Sequence, residues 1–273
     1  MSRETSFPRS RGYDEDWVLR HQMGPNVLWL AEWLCQGLDL QPGMRVLDLG
    51  CGKGLSSCFV AREFGVQVWA ADLWVHPDDV FQAVTEADQS ARVCPLRVEA
   101  HALPFAQRFF DAVISIDAYQ YFGTDDLYLR YLARFVRNGG QLGIVVPGLM
   151  QEFGNEIPAH LTTPQSNGTA FWEDECVSFH TPQWWHAQVK RARCVDAIQV
   201  DTLADGWRHW RDFERMLEHS GRALFPSVAE ALDADAGRYL GFVRMRARVR
   251  EGEGLNLYDP SLIARMAGDP EAG

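Results

Sequence analysis

The chain predicts an α/β fold, a mostly parallel sheet with helices on both faces, and two patterns carry that reading. Apolar, strand-like runs alternate with helix-length segments through its middle, an order that requires crossover helices. The run Val46-Leu47-Asp48-Leu49 then leads directly into Gly50-Cys51-Gly52-Lys53-Gly54. That is a strand–turn–helix junction of the kind that opens a pocket at the carboxyl end of a sheet.

The elements follow in order. Residues 1–40 carry an aromatic and polar cluster (Tyr13, Trp17, His21, Trp29, Trp33) and read as an N-terminal helical cap. The core spans 41–250. After the first strand come a helix at about 55–64, a strand at 66–72 ending on Asp72, and a helix around 77–91. Strands are expected near 94–99 and 110–117. Apolar positions at Leu127, Leu129, Tyr131, Leu132 and Phe135 mark a helix that Asn138-Gly139-Gly140 should stop. Gln141–Val146 is the next strand. Residues 148–180 form a long connection rich in Gly, Pro, Phe and Trp, and connections of this length are usually lids or binding loops. Thr181-Pro182 opens a helix as N-cap and first-turn proline. A strand at 195–202, a helix with Trp207, Trp210 and Phe213, and a strand at 239–249 follow. The acidic tail 251–273 reads as loosely held. No internal repeat is visible.

Composition narrows the function. The 273 residues, 47% hydrophobic and 23% charged, suit one large soluble domain with insertions, or a domain and a small lid. A net charge of −11 without a basic run argues against a nucleic-acid partner. No stretch is apolar enough for a secretory signal or a membrane span, so a cytoplasmic protein is expected. The six cysteines include no C-x-x-C pair and read as buried thiols in a reducing compartment. His180 and His186 are not completed by a carboxylate cluster, so no metal site is expected.

The glycine turn should aim the N–H groups of the following helix, from Leu55 onward, into the pocket. Asp72, at the tip of a neighbouring strand, is placed to accept hydrogen bonds from a ribose diol. A cofactor with an adenosine half is the natural occupant. Leu55 stands where the dinucleotide fingerprint requires its third glycine, which argues against an NAD-dependent oxidoreductase. The phosphate-loop pattern fails as well. What remains is D-x-G-x-G-x-G, whose acid, Asp48, suits a ligand with a cationic amino-acid end.

This segment resembles the first motif of the class I S-adenosylmethionine (SAM) methyltransferases. The resemblance spans about residues 40–250, nearest to the ubiquinone/menaquinone-biosynthesis-like and cyclopropane-synthase-like small-molecule branches. It implies a Rossmann-like sheet of seven strands, the last one antiparallel, and SAM as cofactor with S-adenosylhomocysteine as product. Gly50, Gly52 and Gly54 match the turn under the methionine part, with Asp48 as the acid beside it, and Asp72 matches the ribose acid. Glu99-Ala100-His101-Ala102-Leu103-Pro104-Phe105 matches the adenine segment, with Glu99 in place of the commoner Asp or Asn. Asp117 and Ala118 match the point where the fourth strand passes the methionine. Cys51 within the turn and Leu73 after the acid are counted with the cofactor-binding residues, the side chains of Cys51 and Lys53 reading as structural.

The implied activity is methyl transfer to a small organic acceptor by in-line displacement, at O, N, C or S. The acceptor chamber should be built from Tyr119, Gln120 and Tyr121, the N-terminal cluster and the 148–180 lid. Tyr121, Tyr119, His21 and His180 are the candidates for positioning or deprotonating the acceptor. The tryptophans of the lid either pack it to the core or enclose a planar or cationic molecule. A SAM-binding sensor or accessory subunit without turnover is the alternative outside catalysis. Oligomeric state is not legible.

Overall fold

The computed structural model describes residues 7–250, so the expected tail at 251–273 lies outside the described residues. Seven strands form one sheet in the order β3-β2-β1-β4-β5-β7-β6. They are β1 (Arg45–Leu49), β2 (Gln67–Asp72), β3 (Val93–Arg97), β4 (Phe110–Ile116), β5 (Val136–Leu149), β6 (Val195–Thr202) and β7 (Leu240–Val249). The first five pair in parallel. β7 runs antiparallel to both of its neighbours, β5 and β6. The chain builds outward from β1 through β2 to β3, then crosses back to lay β4 on the other side of β1. The strand order therefore reverses between β1 and β4, where such sheets open a crevice at their carboxyl ends.

Helices α1 (Glu15–His21) and α2 (Val27–Cys35) precede the sheet. Asp14 caps α1 by accepting from the Trp17 N–H at 2.7 Å, and Asn26 caps α2 by accepting from the Leu28 N–H at 3.0 Å. Leu28 through Cys35 are all buried, as expected of a helix almost wholly apolar, and its one acid, Glu32, accepts from the Ser10 N–H at 2.8 Å. On β7, Arg244 grips both oxygens of Asp201 at 2.8 and 2.7 Å and donates to the Trp33 carbonyl at 2.5 Å, with its guanidinium over the Trp33 ring. This fork ties α2 to the far strands, so the N-terminal helices share the core of the sheet.

The remaining helices are α3 (Leu55–Phe64), α4 (Pro77–Glu86), α5 (Tyr128–Ala133), α6 (Ala159–Thr162), α7 (Pro182–Arg191), α8 (Gly206–Ser220) and α9 (Ala229–Asp235). Thr181 caps α7 as its sequence implies. Two expectations are corrected. α4 ends five residues early, because Asp88 turns to φ 56° and the Gln89 N–H closes on the Val84 carbonyl. Asn138-Gly139-Gly140 does not stop a helix. It lies inside β5, opposite the register shift between Phe110 and Ala112, with Gly139 at φ 73°. A glycine at positive φ serves a strand irregularity as well as a helix end, and sequence does not separate the two.

The 148–180 connection packs down onto α8, α9 and the start of β7. His160 meets Asp235 at 3.0 Å, the Asn167 amide donates to the Ser227 carbonyl at 2.7 Å, and Phe171 sets its ring edge-on to Trp210. Phe153 is wedged between Trp172 and Tyr239. Its aromatic residues are thus spent largely on packing, the first of the two readings open from sequence.

Candidate cofactor site

A cavity of about 340 Å³ opens at the carboxyl ends of β1, β2 and β4, within the size range of small-molecule pockets. Its floor is the glycine turn. Gly50, Gly52 and Gly54 take φ 76°, 54° and 84°, and Gly54 is the left-handed N-cap of α3. A side chain at Gly50 would collide with Ala118 on β4's exit, and one at Gly54 would meet Val80 of α4 at 2.9 Å. Backbone conformation and close packing therefore demand glycine at both places.

Asp72 fixes this turn. Its Oδ2 accepts from the Gly52 N–H at 2.8 Å, while Oδ1 accepts from the Trp74 and Val75 N–H groups at 2.8 and 3.0 Å. The carboxylate thus clasps the β1 turn to the loop after β2 and still lines the cavity. With three of about four lone-pair sites used, little acceptor capacity remains for a second ribose hydroxyl.

Asp48 is corrected. It does not line the cavity. It lies fully buried beneath the turn, where Oδ2 takes the Ser56 and Ser57 hydroxyls at 2.6 Å each and Oδ1 has no hydrogen-bond partner. Burial pushes its acid up to about 6, against the opposing pull of the two serines. The residue pins the start of α3 to β1, so it does not meet a ligand's cationic end directly.

Leu73, Glu99, Ala100 and His101 line the opposite wall. Glu99 accepts from the His101 N–H at 2.8 Å and meets the His101 ring Nδ1 at 2.8 Å, which holds the two side chains together at this wall. Cys51 lines the floor; its thiol is driven well above the ordinary range, first by burial and then by Asp48 and Asp72. Asp117 enters from the end of β4 at φ 56°, with Oδ1 3.3 Å from the Gln120 amide. Its acid is raised to about 7 by burial, relieved by Gln120 and reinforced by Glu214.

The four acceptor-side candidates separate. Tyr121 and His21 line the cavity. His21 is held to Glu86 of α4 at 3.0 Å, and Tyr121 is half-exposed, its phenol pushed up to about 12 by burial and then by Asp117. Tyr119 is core: it is buried among Phe122, Tyr128 and Trp185, and burial lifts its phenol out of reach. His180 stacks flat on Trp184 at 3.6 Å, off the cavity wall, and burial lowers its imidazole. The expected lid contributes no residue to the wall either. Only Glu175 and Cys176 come near enough to help raise the Tyr121 phenol.

Residues not anticipated complete the enclosure. Met23, Gly24 and Pro25 cover the glycine turn from the α1–α2 link, and Trp74, Phe122 and Phe225 form the rim. The Gly24-Pro25 pair within the aromatic cluster was a legible turn signal, whereas nothing in the sequence joins Phe225 to Gly50. Among the described residues no three His, Cys, Asp or Glu side chains gather to hold a metal ion, and no helix is long and apolar enough to cross a membrane.

Comparison with known proteins matches the strands that open the cavity. Residues 46–140 match a family model described as a methyltransferase domain. Over 160 residues the chain is 32% identical to the 2-methyl-6-phytyl-1,4-hydroquinone methyltransferase of Synechocystis sp., covering 58% of this chain and 45% of that protein. It spans about half the length of the curated relatives it matches first. A phosphoethanolamine N-methyltransferase from Haemonchus contortus, solved with phosphomonomethylethanolamine and S-adenosylhomocysteine, superposes with a TM-score of 0.64 at 18% identity, over 90% of this chain and 58% of that one. The [4+2]-cyclase SpnF superposes with a TM-score of 0.61 at 20% identity, over 83% of this chain and 82% of that one. The fold is therefore shared by proteins of different reaction type.

Proposed function

We propose that the chain, whose residues 46–140 match a methyltransferase domain model, transfers the methyl group of SAM to a small organic acceptor. The observation that carries this reading is the clasp at the floor of the cavity. Three positive-φ glycines are locked to the β2 loop by Asp72, inside the segment that matches the family model. Such a floor lets a ligand approach the backbone closely and meet the amino end of α3.

The residues fit SAM. Gly50, Cys51, Gly52 and Gly54 would hold the methionine part through their backbone, Asp72 and Leu73 the ribose, and Glu99, Ala100 and His101 the adenine. When bound, SAM supplies a methyl carbon activated by a positive sulfur. The chain's own part is to orient the two reactants and exclude water, since an in-line displacement depends on alignment. The α1–α2 link, Tyr121 and Phe225 would form the acceptor side, in place of the 148–180 lid. Residues 7–40 act as a cap continuous with the core, and a cytoplasmic setting is part of the same proposal.

Isothermal titration with SAM and S-adenosylhomocysteine tests the cofactor. Methyl-labelled SAM incubated with a metabolite extract then tests transfer. Absence of SAM binding to the folded chain overturns the proposal, and binding without label transfer favours the accessory-subunit alternative.

A further inference from the structure

Among the described residues, Asp117 is the one carboxylate in the cavity wall that neither clasps backbone nor pairs with a histidine. Asp72 is held by three N–H groups and Glu99 by His101. The Asp117 Oδ1 receives only the long contact from Gln120, and its Oδ2 faces Gly24, where a Cβ would approach it to 2.7 Å. Its backbone sits in the left-handed region, which a non-glycine residue tolerates only where its surroundings impose it. Beside it the Gln120 amide is buried, and its Oε1 has no partner.

The charged groups around Asp117 are few. Glu214 of α8 and the Tyr121 phenol face it from their own elements, the first raising its acid and the second raised by it. Elsewhere in the cavity wall stand Lys53, His21, His101, Asp72 and Glu99. Among the described residues no arginine lines the cavity, so an anionic acceptor would find Lys53 alone among them against three carboxylates. The rim is apolar and open: Trp74, Tyr121 and Phe225 are 70%, 53% and 62% exposed, and the first two meet edge-to-face at 5.6 Å. This surface suits a planar, uncharged molecule.

We infer that Asp117 is the proton acceptor of the transfer, and that the acceptor substrate presents an uncharged aromatic hydroxyl. The inference rests on the methyl-transfer reading above. The hydroxyl O–H bond breaks, its proton passes to the Asp117 carboxylate, and the oxygen forms the new bond to the methyl carbon. The S–CH₃ bond breaks with its electron pair remaining on sulfur, so a sulfonium, a hydroxyl and a carboxylate become a thioether, a methyl ether and a carboxylic acid. A carboxylate that titrates near neutrality is matched to this task, being ionised and still basic at working pH.

The test compares the parent chain with Asp117→Asn at saturating SAM on two acceptors. Hydroquinone must lose a proton, whereas thiophenol reacts as a thiolate that needs no base. The expected result is a loss of about 100-fold on hydroquinone with little change on thiophenol, and a hydroquinone rate in the parent that rises through pH about 7. Carboxyl ¹³C NMR of the free chain, with the aspartate resonance assigned by its absence in the variant, should show a midpoint near the same pH. Equal loss on both acceptors, an unchanged hydroquinone rate, a midpoint in the ordinary aspartate range, or a SAM-binding parent that methylates thiophenol only or neither acceptor would each overturn the assignment. A parent that does not bind SAM overturns the methyl-transfer reading instead.

Discussion

Replacing Asp72 by alanine and by asparagine separates its two duties. The carboxylate accepts three N–H groups at 2.8, 2.8 and 3.0 Å, from Gly52, Trp74 and Val75. Hydrogen bonds to a charged group contribute about 1.5–3 kcal/mol each, so full loss of all three would be ruinous. Gly52 and Trp74 line the cavity, however, and water entering it can satisfy their N–H groups. Val75 is buried, so its N–H stays unpaired in Asp72→Ala. The expected destabilisation is therefore about 2–4 kcal/mol, read as a lowered midpoint in urea. Asp72→Asn keeps one oxygen for Trp74 and Val75 but turns an NH₂ group toward the Gly52 N–H. It should lose only the tether to the glycine turn, about 1–2 kcal/mol, while SAM affinity drops at least tenfold by calorimetry. An asparagine variant that binds SAM as the parent does would refute the reasoning, because neither the ribose contact nor the clasp would then matter to the ligand.

Three further outcomes follow from the same geometry. Gly50→Ala adds a left-handed penalty of about 1–2 kcal/mol and a collision with Ala118, so thermal melting should fall by several degrees. Asp48 titrates at about 6 in the fold against an ordinary 3.8, so the folded chain binds the extra proton and stability declines as pH rises between those values. Asp48→Asn keeps an oxygen for the two serine hydroxyls, and it should remove that decline, worth up to about 3 kcal/mol, in urea melts taken at pH 4 and pH 8. His180→Ala should lower stability by about 1 kcal/mol through the lost stack on Trp184 while SAM affinity stays at the parent value; a collapse of affinity would place the 148–180 connection against the cofactor after all.

Local chemistry decided much of this protein. The run into Gly50, Gly52 and Gly54 needs nothing beyond its neighbours to announce a strand, a turn and a helix start, because positive φ is a property of the residue itself. Helix α3 and strand β6 lie within the limits read from the sequence, and Asp72, Glu99 and Asp117 stand at strand ends, where a parallel sheet puts its crevice. Direction and partnership were decided elsewhere. Whether Asp48 looks into the cavity or beneath it depends on two serines of the next helix, and whether Gly139 ends a helix or kinks a strand depends on β4 across the sheet. His180 and Tyr119 had the right chemistry and stood near the right strands, yet aromatic packing holds His180 on Trp184, off the cavity wall, and Tyr119 against Trp185 in the interior. Phe225 lies far along the chain from Gly50 and reaches the cavity rim only because α8 and α9 fold back toward α1, with Arg222 bonded to Asp16. Side-chain periodicity records which face of an element is buried, but which distant face meets it is settled only when the whole core closes.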